Sequence, residues 1–104
     1  MGLYYQVKIS AETQEQADAI LNSLLEKKLA TGGQFIKQPA RFLWKGKVQD
    51  SDYITITTYT TDRHKDALMD DVRKTSTEEV PMITFTLPDD LNVELRNWID
   101  ETLS

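Results

Sequence analysis

The residue types that could do chemistry are few in this chain. There is one histidine, His64, and there is no cysteine. Disulfides, thiolate nucleophiles and cysteine-based zinc or iron–sulfur sites are therefore excluded. A single imidazole cannot make a zinc site, which needs three or four ligands. Asp62, Asp66 and Glu78 could add oxygen donors to His64, but a solvated role at the start of a polar helix is the simpler reading. Asp70-Asp71 and Glu78-Glu79 are acidic pairs. Hard cations bind such carboxylates weakly, and adjacent carboxylates are more often just solvated. No EF-hand spacing or glycine-rich phosphate loop is present. No activated nucleophile or poised acid–base pair is legible, so the expectation is a protein that is not an enzyme. No resident cofactor is expected, with weak divalent metal binding as the most the carboxylates support.

Three tyrosines, Tyr4, Tyr53 and Tyr59, raise a nucleic-acid alternative. An RNA-recognition sheet stacks bases on aromatics of its first and third strands. The third strand here lacks the basic, Gly-containing aromatic octamer. Lys37, Arg41, Lys45 and Lys47 on one strand favour the idea slightly. The net charge of −5 disfavours it, because phosphate neutralisation needs positive surface. Charge is also uneven. Residues 1–49 hold seven Lys/Arg against four Asp/Glu, and residues 50–104 hold five against thirteen. The simple reading is acidic solvent faces on the later helices. The functional reading is contact between basic and acidic surfaces of neighbouring subunits.

The elements that must position these residues follow from periodicity. Leu3, Tyr5, Val7 and Ile9 alternate with polar residues and predict a strand. Thr13 and Gln16 read as a capping box. Ala17, Ile20, Leu21, Leu24, Leu25 and Leu29 recur at helical spacing behind it. Gly32-Gly33 is read as the stop of that helix. Gln34 to Val48 predicts a long second strand, with a bulge or break expected at Pro39. Gln49 to Asp52 reads as a polar turn, and Tyr53 to Thr60 as a third strand. Thr61 or Asp62 would cap a second helix through Ala67, Leu68, Met69 and Val72. Pro81 to Leu87 predicts the last strand. Leu91, Leu95, Trp98, Ile99 and Leu103 form a final helical stripe.

The order β-α-β-β-α-β plus a C-terminal helix predicts an α+β, ferredoxin-like antiparallel sheet. The 104 residues suit one domain, 1–104. Helices are expected on one sheet face only. The other face would show Tyr4, Gln6, Lys8, Tyr53, Thr55, Thr57, Tyr59, Thr84 and Thr86. Such a face is wet, a binding platform, or packed on another subunit. No apolar run approaches membrane-spanning length, and the N-terminus does not read as a signal peptide. The expectation is a cytoplasmic protein without membrane contact.

Four segments carry a family resemblance. They are Leu24-Leu25-Glu26-Lys27-Lys28-Leu29-Ala30, Phe42-Leu43-Trp44-Lys45-Gly46-Lys47-Val48, Val80-Pro81-Met82-Ile83 and Leu95-Arg96-Asn97-Trp98-Ile99. In this order they resemble the CutA family of divalent-ion tolerance proteins, across nearly the whole chain. The resemblance implies a homotrimer packed through sheets near a three-fold axis and a role in tolerance of divalent metals, copper especially. It also marks departures. Gly32 stands where the family has Cys, and Tyr59-Thr60 where it has Lys-Thr. Ser76-Thr77-Glu78 replaces His-Pro-Tyr, and Met82 replaces Glu. The usual copper ligands are thus absent, and no metal-binding residue carries over.

The reading is a trimeric binding or signalling scaffold whose inter-subunit clefts take a small ligand. By position, Gly32, Gly33, Tyr59, Glu78, Glu79 and Met82 would line the cleft. Trp44, Phe42, Tyr53, Thr55 and Thr57 would lie between subunits, since large aromatics dominate such contacts. A ferredoxin-like regulatory module binding a metabolite is the alternative, with an RNA-binding sheet behind it.

Overall fold

The computed structural model describes residues 2–104. The elements run β1 (Tyr4–Ala11), α1 (Gln14–Glu26), β2 (Gly33–Trp44), β3 (Lys47–Thr61), α2 (Lys65–Thr75), β4 (Ile83–Thr86) and α3 (Val93–Thr102). The four strands form one antiparallel sheet in the order β2-β3-β1-β4. Val7 and Ile9 of β1, Ile54 and Ile56 of β3, Ile20, Leu21 and Leu24 of α1, and Leu68 and Val72 of α2 build the core. The alternation read along β1 therefore does face the helices.

Helix α1 starts as its sequence predicts, with the Thr13 hydroxyl accepting from the Gln16 N–H at 3.1 Å. The reciprocal half of the box is not made, because the Gln16 side-chain amide donates to the Thr77 hydroxyl. The helix does not run on to Gly32-Gly33. It ends at Glu26, with Lys28 at φ 54°. The Lys28 N–H donates to the Leu25 carbonyl at 3.1 Å, and the Leu29 N–H to the Leu24 carbonyl at 2.8 Å. That is a Schellman closure on a lysine, and it satisfies the orphan carbonyls before any glycine is reached.

Gly33 has a different job. A Cβ there would lie 2.8 Å from Leu21 Cδ2 and 3.3 Å from Ile56 Cγ2. Its missing side chain lets the start of β2 close down onto the core.

The expected bulge at Pro39 does not occur. β2 and β3 pair without a slip from Gly33–Thr58 to Trp44–Lys47. The two-residue turn makes Trp44–Lys47 a hydrogen-bonded pair, and pair types alternate from there. Pro39 falls on a non-bonded pair of an edge strand, where its missing N–H would point away from β3.

The turn itself is Lys45-Gly46, with φ of 50° and 82°, which fits a two-residue hairpin turn. Gln49 to Asp52 is not a turn but part of β3. These polar residues tolerate strand geometry because the hairpin there stands beyond the helices. Arg41 faces Asp50 across it, with Nε 2.7 Å from Oδ1. The protruding hairpin helps stretch the molecule to 44 Å along its long axis.

The caps expected for α2 are also displaced. Its N-cap is His64. The Thr61 hydroxyl lies 2.7 Å from His64 Nδ1, and Asp62 instead accepts from the Leu3 N–H at 3.1 Å. Helices do not keep to one sheet face either. The Tyr4 hydroxyl, on the side opposite the core, donates to the Asp100 carboxylate of α3 at 2.8 Å. The Arg96 guanidinium lies 6.0 Å from the Tyr4 ring. Ile99 and Leu103 are buried there, apart from the main core. The C-terminal helix thus reaches the other face of the sheet, where Ile99 and Leu103 of its stripe are buried.

Candidate functional site

A large concavity lies between the protruding hairpin and the 78–82 segment that leads into β4. It measures about 860 Å³. Phe42, Trp44, Tyr53 and Thr55 come from the hairpin, Ser10 and Glu12 from the end of β1, and Glu78, Glu79 and Met82 from the loop. The Phe42 and Tyr53 rings meet edge to face at 5.6 Å. At the tip, Lys45 Nζ is 5.5 Å from the centre of the Trp44 ring and 3.9 Å from Glu79 Oε2.

One serine pins the loop. The Ser10 hydroxyl donates to Glu78 Oε1 at 3.0 Å and accepts from the Met82 N–H at 3.0 Å. The Ser10 N–H donates to the Met82 carbonyl at 3.0 Å. Glu78 also donates its own N–H to the Ser76 hydroxyl at 3.1 Å. Desolvation of the half-buried Glu78 carboxyl raises its pKa; the Ser10 hydrogen bond opposes this and the Glu12 charge adds to it. Burial also raises the Tyr53 phenol, with the Glu78 and Glu12 charges acting in the same direction. Tyr53, Glu78 and Glu12 therefore share one electrostatic environment.

Three of the six residues expected to line a cleft, Glu78, Glu79 and Met82, come together here. Gly32, Gly33 and Tyr59 lie elsewhere in the same chain. Tyr59 pairs with Gln6, four residues along β3 from Thr55, or about 13 Å at strand rise. Its hydroxyl accepts from the Gln6 amide at 3.3 Å. A Cβ on Gly32 would meet the Trp98 ring at 3.4 Å. Of the expected interface residues, Trp44, Phe42, Tyr53 and Thr55 line the concavity, while Thr57 pairs between Lys8 and Gln34 outside it. The three tyrosines do not form a common platform, because Tyr4 is engaged by α3.

Ser10 and Glu12 were missed by sequence reasoning. Ser10 is an ordinary polar alternation in β1, and its partners are 68 and 72 residues away. Asp71 was misread as solvated. It is buried and pairs with Lys27, and it accepts from the Ser23 hydroxyl at 2.7 Å. Its spacing, three residues after Leu68 and one before Val72, was the available signal. Among the described residues, no three His, Cys, Asp or Glu side chains gather in metal-ligand geometry.

The family model of the CutA1 divalent ion tolerance protein matches residues 5–102. The chain belongs to the CutA1 family. Solved CutA1 structures superpose on nearly all of it. The periplasmic divalent cation tolerance protein CutA from Archaeoglobus fulgidus is 26% identical, with a TM-score of 0.94 over 98% of this chain and 100% of that one. The divalent cation tolerance protein from Thermus thermophilus is 22% identical, with a TM-score of 0.92 over 98% and 100%. CutA1 from Ehrlichia chaffeensis is 19% identical, with a TM-score of 0.93 over 100% and 98%. Comparison with curated proteins gave no sequence match. Within the CutA1 family, the protruding hairpin and the loop before β4 are thus features of a chain that diverges widely in sequence while keeping its backbone.

Proposed function

We propose that this CutA1-family protein is a homotrimeric binding or signalling scaffold in divalent-ion tolerance, and not a catalyst. The observation that carries the reading is the outer edge of β2. Twelve residues, Gly33–Trp44, form an edge strand with no partner on one side. A long open edge invites pairing with another chain, and natural proteins cover or blunt it. Near its end Leu43 is apolar as well as 74% exposed, and so is Val48, its cross-strand partner on β3, at 67%. Val80 and Met82 add apolar surface on the loop. Closed rotational symmetry satisfies such a heterologous surface in every subunit.

Assembly would also unite the two halves of the expected cleft. Gly32, Gly33 and Tyr59 of one subunit would approach Glu78, Glu79 and Met82 of its neighbour, leaving room for a small ligand. A scaffold role is supported by how Ser10 and Glu78 are used. They bind each other and hold the loop rather than facing a substrate. The strand order supports the ferredoxin-like description. A cytoplasmic location is part of the same reading, consistent with a chain free of cysteine.

Light scattering during size-exclusion chromatography tests the assembly. A mass near three chains of 12.0 kDa is expected. A monomer at every concentration would overturn the trimeric scaffold and leave a metabolite-binding module, since the hairpin–loop concavity has all its walls in one chain.

A further inference from the structure

The sheet face opposite the core carries one unpaired charge near its centre. The register lines up Gln34, Thr57, Lys8 and Thr84 in a single row across all four strands. The row toward Tyr4 holds Tyr59, Gln6 and Thr86, and the row toward Glu12 holds Ile36, Thr55 and Ser10. Lys8 is the only charged side chain in these three rows. It is exposed in the single chain and, among the described residues, makes no ion pair. The Glu78 carboxylate reaches the outer row, where Ser10 holds it.

Around Lys8 the groups are hydroxyls and amides. Its direct neighbours across the strands are Thr57 and Thr84, about 5 Å away between Cβ atoms. An ammonium brings three donors, and threonine hydroxyls can donate too.

Pairing three sheets edge to edge in a closed ring turns one face of each sheet toward the axis. The core face is occupied by α1 and α2, whose outer surfaces expose Glu15, Asp18, Asp66 and Asp70. The face that turns inward is therefore the one with Lys8, which also carries Ile36 at 49% exposure. Symmetry brings three copies of Lys8 together there. Packing removes the water that screens them, so their repulsion grows, and an unpaired buried charge is costly.

We propose that the assembled sheet faces hold a tetrahedral oxyanion, phosphate or sulfate, on the three-fold axis, bound by one Lys8 from each subunit. Such an ion has a three-fold axis of its own, so three of its oxygens can each accept from one ammonium. A multivalent anion offsets the three charges better than a halide does. Thr57 and Thr84 supply further donors. No single chain contains this site, so the proposal rests on the trimeric reading and names a ligand class for it.

Calorimetric titration of the full chain with inorganic phosphate and with sulfate, in chloride at constant ionic strength, tests it, with light scattering on the same samples. Saturable binding of one anion per three chains is expected. Lys8→Met keeps the stem and removes the charge. It should abolish the binding, and in chloride alone it should hold the trimer together at greater dilution, because the repulsion is gone. Loss of structure would not tighten assembly. Lys8→Arg keeps the cation and should keep the binding. Binding that survives Lys8→Met, one anion per chain, or a wild-type trimer that binds neither anion would each overturn the site and leave the trimer standing. So would a Lys8→Met trimer that dissociates more readily than wild type, the signature of Lys8 paired with Glu78 of a neighbouring subunit. A wild type that stays monomeric with either anion present sinks the assembly, and the site with it.

Discussion

Lys27 and Asp71 form an ion pair between the end of α1 and the middle of α2, and its two ends differ in exposure. Asp71 is 6% exposed and Lys27 is 57% exposed. Ser23 gives Asp71 a second hydrogen bond at 2.7 Å. Removing Lys27 strands a buried carboxylate, whereas removing Asp71 leaves an ammonium that water can reach. Lys27→Ala should therefore destabilise at least as much as Asp71→Asn, by about 1–3 kcal/mol. Urea unfolding midpoints of the two variants check the order. A harmless Lys27→Ala would show that Ser23 and water suffice for Asp71.

Gly33 and Gly46 should both resist substitution, for different reasons. At Gly33 the backbone is unremarkable but the space is filled, with Leu21 Cδ2 2.8 Å from a built Cβ. Gly33→Ala should cost about 1–3 kcal/mol through overpacking. At Gly46 the space is open but φ is 82°, and Gly46→Ala should cost about 1–2 kcal/mol through left-handed strain. Gly32→Ala meets Trp98 at an ordinary 3.4 Å and should be nearly neutral. Thermal melts of the three variants rank them.

Glu78 gives a pH signature with a definite sign. Burial raises its folded-state pKa above the unfolded value, so the folded protein holds that proton more tightly. Its contribution is fully present below the unfolded pKa and is lost as pH rises through the raised folded pKa. Wild type should lose stability relative to Glu78→Gln across that window, which opens at the ordinary carboxylate pKa and extends upward from it. Parallel denaturation curves at stepped pH measure the difference. A constant difference across the window would contradict the desolvated setting of Glu78.

Trp44 lies at the end of β2, beside the exposed Leu43. If the hairpin packs between subunits, Trp44→Ala should lower the mass seen by light scattering on dilution while leaving the far-UV spectrum of the chain intact. An unchanged assembly would move the subunit contact away from the hairpin tip.

Order and type of the elements followed from the sequence alone, because apolar alternation and helical stripes are local. Val7 and Ile9 had to share a face, and Leu68 and Val72 had to share another. The family followed too, from four short segments spread along the chain. What tertiary structure decided were the places where a local signal had two physical uses. Gly33 offered a helix stop or a close approach, and the contact with Leu21 chose the latter while Lys28 closed the helix. Pro39 offered a break or an edge position, and the register with β3 chose the edge. Gln49 to Asp52 looked like a turn because polar residues favour turns, but the left-handed pair Lys45-Gly46 had already reversed the chain. The site was the least legible part. Ser10, Glu78 and Met82 meet only because β1 pairs with β4, and a contact across about seventy residues leaves no periodic trace in either segment.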